Sequence, residues 1–238
     1  MYKKLKIKLL IIFSLFLIQS KTFPQYNGNN FSLSLSASYT TTAKLFLHPN
    51  SPDIGIRNQF IPFQDILSYS SQLRYRISEP VILGLRVEYV SKSVSGRNLQ
   101  NPFYIVDDGF KVIPVELTVY YFLPFSTGDF KFYMGGGFGI YIGEQTRKFG
   151  DVEISNVKRD FAFGLQVETG MDYMIWNFLS AKFEMRFRDP EFEVKSKYDN
   201  EIVHYKGRTI KVSNEPFDSK VNINGITFTL GLVYQFDI

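Results

Sequence analysis

Cysteine is absent from this sequence, tryptophan occurs once and histidine only twice. Without cysteine there is no disulfide framework, no thiolate nucleophile and no cysteine-ligated metal. His48 sits in the turn-rich stretch Leu45-Phe-Leu-His-Pro-Asn-Ser-Pro52 and His204 in Glu201-Ile-Val-His-Tyr-Lys206. Neither has a serine or an acid at a catalytic spacing, so both read as solvated loop histidines rather than as bases or metal ligands. Basic surplus is missing too. The formal charge is +4, but Lys3, Lys4, Lys6, Lys8 and Lys21 lie in the first 22 residues with no acid among them. Taking those five from +4 leaves −1, which gives no electrostatic footprint for nucleic acid.

Aromatic residues are plentiful: 24 Phe, 15 Tyr and one Trp make up 17% of 238 residues. With 21% charge this is the reverse of a disordered composition, and the length suits one all-β domain. The N-terminus combines a basic segment over 1–8 with a ten-residue apolar run over 9–18, LLIIFSLFLI. At about 1.5 Å per residue that run spans about 15 Å, half of a bilayer core. It reads as the core of an export signal over 1–22, with cleavage within 20–26. No cysteine follows it to carry a lipid anchor.

Beyond residue 30 the dominant signal has period two. The stretch FSLSLSASY over 31–39 is apolar at every odd position and serine at every even one, which a strand sorts onto two faces. The pattern recurs over 67–78, 81–92, 113–123, 130–143, 161–173, 179–188 and 226–238. Eight strands result, each near the 9–11 residues that cross a membrane at a tilt. The connections at 79–80, 124–129 and 174–178 are short. Those over 44–66, 93–112, 144–160 and 189–225 are long. The expectation is an all-β fold over 26–238: an eight-stranded antiparallel transmembrane β-barrel, up-and-down, with short periplasmic turns and long extracellular loops. Within the last loop, weak alternation around Asp199-Asn200 and Lys206-Gly207 suggests hairpins that continue the strands beyond the membrane. Pro114 donates no ladder hydrogen bond and predicts a bulge or a strand start.

Charge decides which face points where. Arg74, Arg76, Arg86, Glu88, Lys92, Glu116, Lys131, Glu168, Lys182, Glu184, Arg186 and Arg188 all fall on one parity, and no charge falls on the other. A soluble carrier barrel would hold the apolar set inside, where eight strands leave little room. The inverse arrangement packs better: Ser, Thr, Gly and Ala on the inner faces over 31–39, 130–143 and 161–173 make room for the long charged side chains. Lipid-facing charge costs about 2–4 kcal/mol at the midplane, which accounts for its absence there. Tyr39, Tyr69, Tyr89, Phe163 and Phe187 then mark one membrane rim. Phe31, Tyr75, Tyr121, Phe132, Tyr173, Trp176 and Tyr234 mark the other.

The stretches IPVELTVYYFL over 113–123, FYMGGGFGIY over 132–141 and LGLVYQF over 230–236 resemble the outer-membrane protein beta-barrel domain family. These are the small eight-stranded OmpA/OmpX-like barrels of Gram-negative envelopes. The resemblance implies an outer-membrane location, outer-membrane lipid as surroundings and the barrel-insertion machinery as a partner. Family members usually stop at an aromatic residue; this chain runs two residues further, to Ile238, on the apolar parity.

Enzymes occur on such barrels, but no catalytic constellation is found here. Gly135-Gly-Gly-Phe-Gly139 lies mid-strand with no following Lys-Ser/Thr and is not a phosphate loop. Glu88, Glu116, Glu168 and Glu184 could suggest acid–base work; the simpler reading is that they neutralise the lumen cations, since buried charges need partners. The lumen set is thus a structural charge network: Arg74, Arg76, Arg86, Glu88, Glu116, Lys131, Glu168, Lys182, Glu184, Arg186 and Arg188. With Lys92 counted among the cations it carries a surplus of four positive charges, to be met by water or anions. Between 189 and 220 there are six basic and seven acidic residues, again no nucleic-acid patch. The functional expectation is a monomeric barrel without cofactor, with a structural or surface-interaction role, any extracellular ligand meeting loops 1 and 4. A narrow channel or lateral passage is the alternative, an envelope-lipid enzyme the third. No further domain is expected after the last strand.

Overall fold

The computed structural model describes residues 29–99 and 101–237. The expected export signal over 1–22 and its expected cleavage region lie outside the described residues, as does Ile238. Thirteen strands are present among the described residues. They are β1 (Phe31–Phe46), β2 (Phe60–Arg76), β3 (Val81–Arg97), β4 (Ile105–Phe122), β5 (Phe130–Phe149), β6 (Val152–Arg159) and β7 (Ala162–Trp176). Then follow β8 (Leu179–Arg188), β9 (Glu191–Tyr198), β10 (Ile202–Tyr205), β11 (Arg208–Lys211), β12 (Phe217–Asn222) and β13 (Ile226–Phe236). One helical turn, α1 (Ile54–Arg57), is capped by Asp53, which accepts from the Gly55 N–H at 2.7 Å.

In the membrane band the ring runs β1-β2-β3-β4-β5-β7-β8-β13 and closes back on β1, antiparallel throughout. This is the expected eight-stranded transmembrane barrel. Further out, β5 pairs with β6, β6 with β9, β9 with β12 and β12 with β1. The β9–β12 register (Glu191↔Asn222) continues that of β8–β13 (Phe187↔Ile226) without a shift. Backbone bonds from Ile223 N to Pro190 O (3.0 Å) and from Asp160 N to Glu193 O (3.2 Å) tie the three breaks together at one height. The molecule is therefore a barrel of eight long staves, three of them interrupted where the wall leaves the membrane.

Much of what the sequence assigns to long loops is thus barrel wall. Strands β1 to β5 run to 16–20 residues; at about 3.3 Å per residue they exceed what a bilayer needs. The turns at Asp199-Asn200 and Lys206-Gly207 separate β9, β10 and β11. Lys206 (φ 48°) and Gly207 (φ 76°) both take the left-handed conformation of a two-residue hairpin. Pro114 lies inside β4 and pairs with Tyr141 in an unbroken register, so it neither bulges the strand nor starts it; instead β3–β4 pairing skips from Val87↔Val115 to Val90↔Val112. The missing N–H is accommodated by those absent pairs rather than by a displaced strand.

Outward residues of the band are apolar. Eight steps along β1 from Phe31 to Tyr39 cover about 26 Å of strand. At the periplasmic end the rings form a belt: Tyr75–Phe31 (5.0 Å), Phe31–Phe236 (5.9 Å), Phe236–Tyr234 (5.9 Å), Tyr234–Phe178 (6.0 Å) and Phe178–Trp176 (6.0 Å).

The interior is layered. Nearest the periplasm Ile82, Tyr120, Phe122 and Tyr133 pack together. A charged layer lies above them. Above that comes an apolar core built on Ala43, Leu45, Phe63, Phe110, Phe192 and Val221. Outermost, Val106, Phe149, Val152 and Val203 are covered by Tyr104, Tyr205 and Ile210, bringing the β10–β11 hairpin over the mouth. The inversion from charged to apolar interior follows the solvent: outside the bilayer the outer wall meets water, so the apolar side chains turn inward. On β1 and β2 this inversion needs a change of parity. Buried positions pass from Thr40 to Ala43 and from Ile66 to Phe63, at Asp65, whose φ is 54°. Its carboxylate accepts from the Tyr39 hydroxyl at 2.6 Å, which anchors the irregularity.

Candidate functional site

The inward parity of β2, β3, β4, β7 and β8 delivers ten charged side chains to one level of the lumen. In the ring order β3 stands opposite β8 and β2 opposite β7. Arg86 reaches from β3 to Glu184 on β8 (2.5 Å) and to Glu168 on β7 (3.0 Å). Glu88 receives Arg188 through both guanidinium nitrogens (2.8 and 3.1 Å), Arg186 at 2.6 Å and the Ser68 hydroxyl at 2.6 Å. Glu116 takes a very short bond from Arg186, a second from Arg188 (3.0 Å) and a third from the Tyr141 hydroxyl (2.9 Å). Arg74 pairs with Asp172 at 2.8 Å and lies between the rings of Tyr120 (4.7 Å) and Tyr133 (4.8 Å). Lys182 bridges Glu184 (3.0 Å) and the Gln72 carbonyl (2.8 Å).

Five cations, Arg74, Arg86, Lys182, Arg186 and Arg188, therefore face five acids, Glu88, Glu116, Glu168, Asp172 and Glu184. This level is balanced, and counting the fifth acid reduces the surplus of four read from the sequence to three, carried by Arg76, Lys92 and Lys131. The fifth acid is Asp172. Arg76 and Lys131 sit on the inner face nearest the periplasmic end, and the ammonium of Lys92 donates to the Asp65 carbonyl at the outer end (3.0 Å). Small residues make the room: a Cβ on Gly139 would stand 2.9 Å from Glu116 Cγ. Asp172 and the tyrosines 120, 133 and 141, which the alternation of β4, β5 and β7 places on the inward face, join the charge network expected from the sequence.

A second polar group lies in the outer part. Arg147 on β5 and Asp108 on β4 are buried together, Nε to carboxylate 3.4 Å. Burial raises the Asp108 carboxyl above its ordinary range against the pull of Arg147. Burial also lowers His48, and the positive charge of Arg147 lowers it further. Both residues escape the sequence reading because 93–112 and 144–160 are taken there for loops. His204 stands apart: its backbone N–H donates to the Asp151 carboxylate at 2.7 Å. Gly135 to Gly139 pair with β4 and β7 in mid-sheet, far from the geometry of a phosphate loop. Among the described residues no group of three or more His, Asp or Glu is placed to hold a metal ion.

No protein-family model matches the sequence. No curated protein matches it. Solved structures do. The outer membrane protein OprG from Pseudomonas aeruginosa is similar with a TM-score of 0.62 at 13% identity, over 88% of this chain and 97% of that one. Neisserial surface protein A (TM-score 0.47, 16% identity, 87% and 97% covered) is also similar. So is Ail, the attachment invasion locus protein of Yersinia pestis (0.46, 10%, 87% and 99%). At such identities the likeness to OprG shows the fold, an outer-membrane β-barrel.

Proposed function

We propose that this chain is a monomeric integral outer-membrane protein, exported through the segment over 1–22 and inserted by the barrel-insertion machinery, with a closed lumen and a surface-interaction role carried by its outer part. The supporting observation is the filling of the interior. Glu116, Glu184 and Arg186 are 0% exposed in the ring of pairs, whereas a water-filled pore would wet its lining. Above them the apolar core adds a second closed layer. With the interior filled at both levels among the described residues, recognition falls to the parts beyond the membrane, where it usually resides.

A membrane-impermeant maleimide tests this orientation, because the chain has no cysteine of its own. Phe103→Cys, at a position 89% exposed in the connection before β4, should label on intact cells. Gly128→Cys, in the turn between β4 and β5, should label only after the outer membrane is breached. The reverse pattern would overturn the orientation.

One observation favours a lateral passage as the second reading. Pairing of β2 with β3 stops at Ser68↔Val90, so the outer parts of these two strands face each other without ladder bonds among the described residues. Uptake of small uncharged molecules by vesicles, without ion current, would support that reading.

A further inference from the structure

At the outer mouth, between the barrel wall and the segment that links β11 to β12, lies a cavity of about 410 Å³. That volume is within the range of small-molecule sites. Its lining divides into two kinds. Leu47, Phe149, Val212, Pro216 and Phe217 supply apolar wall, while Arg147, His48 and Tyr198, with Asn98, Ser213, Lys211 and Glu215, supply polar groups.

The guanidinium of Arg147 is the notable member. Arg147 is only 9% exposed, and its one acidic contact is Asp108. The facing atoms of that pair, Arg147 Nε and Asp108 Oδ1, have no aligned hydrogen bond. The Tyr198 side chain lines the same cavity. The Nε of this buried cation lacks an aligned acceptor, and its acid Asp108 lies outside the cavity lining, which leaves the guanidinium as the buried charge of the cavity. A planar carboxylate matches such a fork through two parallel bonds.

We propose that this cavity is a binding site for a small amphipathic monocarboxylate, its carboxylate on Arg147 and its apolar body against Phe149, Val212 and Phe217. A polyanion fits less well. Burial and the neighbouring charge of Arg147 both disfavour a proton on His48. Lys211 on the rim is 3.5 Å from Glu201, and Glu215 adds a negative charge to the lining. Arg147 is the one buried cation of the lining and its acid Asp108 lies outside it, so the cavity suits a single anionic group, and the apolar part of the wall rewards loss of apolar surface from water. The proposal rests on the reading of the outer part as the recognition end and names the chemistry it would recognise.

Calorimetry with the full barrel in lipid nanodiscs tests it, using 3-phenylpropionate, its neutral amide and inorganic sulfate. The acid should bind saturably, with the amide weaker by roughly tenfold or more. Arg147→Gln should weaken the acid by a similar factor while leaving the amide unchanged, and Phe217→Ala should weaken both. Arg147→Lys, which keeps the charge, covers the case in which Arg147→Gln fails to give the compact unboiled gel form; it should bind the acid less tightly than wild type because the two-bond match is lost. Absence of saturable binding by wild type, equal binding of acid and amide, or displacement by sulfate as effective as by the acid would each overturn the proposal. The closed-lumen reading fails separately, by ion current, which leaves a positive binding result standing.

Discussion

Arg188 and Glu88 hold each other across the barrel, from strands four places apart in an eight-strand ring, through bonds of 2.8 and 3.1 Å. Two guanidinium nitrogens on two carboxylate oxygens fix both side chains in the centre of the lumen. Glu88→Gln removes that charge and leaves Arg186 and Arg188 sharing Glu116. The loss should be about 3–5 kcal/mol, the usual result of orphaning a buried charge. Glu168 meets Arg86 alone at 3.0 Å, with neither oxygen in an aligned hydrogen bond. Glu168→Gln should therefore cost less than Glu88→Gln. Urea unfolding in lipid vesicles, followed by the gel shift between unboiled and boiled protein, ranks the two variants.

The outward and inward parities predict opposite responses to the same substitution. Leu85 faces outward in the band and Ser36 faces inward against Gly231. Leu85→Arg should hinder insertion into bilayers by about 2–4 kcal/mol. Ser36→Arg should disturb lumen packing while insertion proceeds. Harmless Leu85→Arg, with a label at 85 in water, would mean that every strand is shifted by one residue.

In the outer core the ring of Phe192 occupies the space a side chain at Gly143 would need. Gly143→Val should destabilise by about 1–3 kcal/mol through overpacking. Phe192→Ala should cost stability alone but relieve much of the Gly143→Val penalty in the double variant. A double-mutant cycle by urea unfolding measures that coupling; additive effects would separate the two residues.

Acid should loosen the outer mouth. His48 is lowered by burial and by Arg147, so the unfolded chain takes up this proton at a higher pH than the folded one. Its contribution is present above the ordinary histidine range and is lost as pH falls through that range. Protection of the amides around 45–51, measured against the intrinsic exchange rate at each pH, should fall between neutral pH and about pH 5. In His48→Gln the same exchange should show no such step.

The membrane band was legible because lipid and lumen impose opposite chemistry on alternate residues, as Leu85 beside Arg86 shows. Legibility ended where the surroundings changed. Above Thr40 the inward residues become Ala43 and Leu45 with a parity shift at Asp65, whereas β4 and β5 keep their parity but exchange charged inward residues for Phe110 and Phe149, so 93–112 and 144–160 lose the band's pattern and read as loops. The charged side chains could be assigned to one face, but not paired. Which acid meets Arg86 depends on how far the strands are staggered around the ring, and no spacing along the chain encodes that directly. Asp172 was left out of the lumen set although it shares the parity of Glu168, four residues before it.

Planar-bilayer recording of the purified barrel tests the closed lumen most directly. With the ion-pair layer and the apolar core both in place, wild type should show no steady conductance, and Glu88→Gln should show at most brief, irregular openings. Large, stable single-channel currents from wild type would contradict the account and make the barrel a channel.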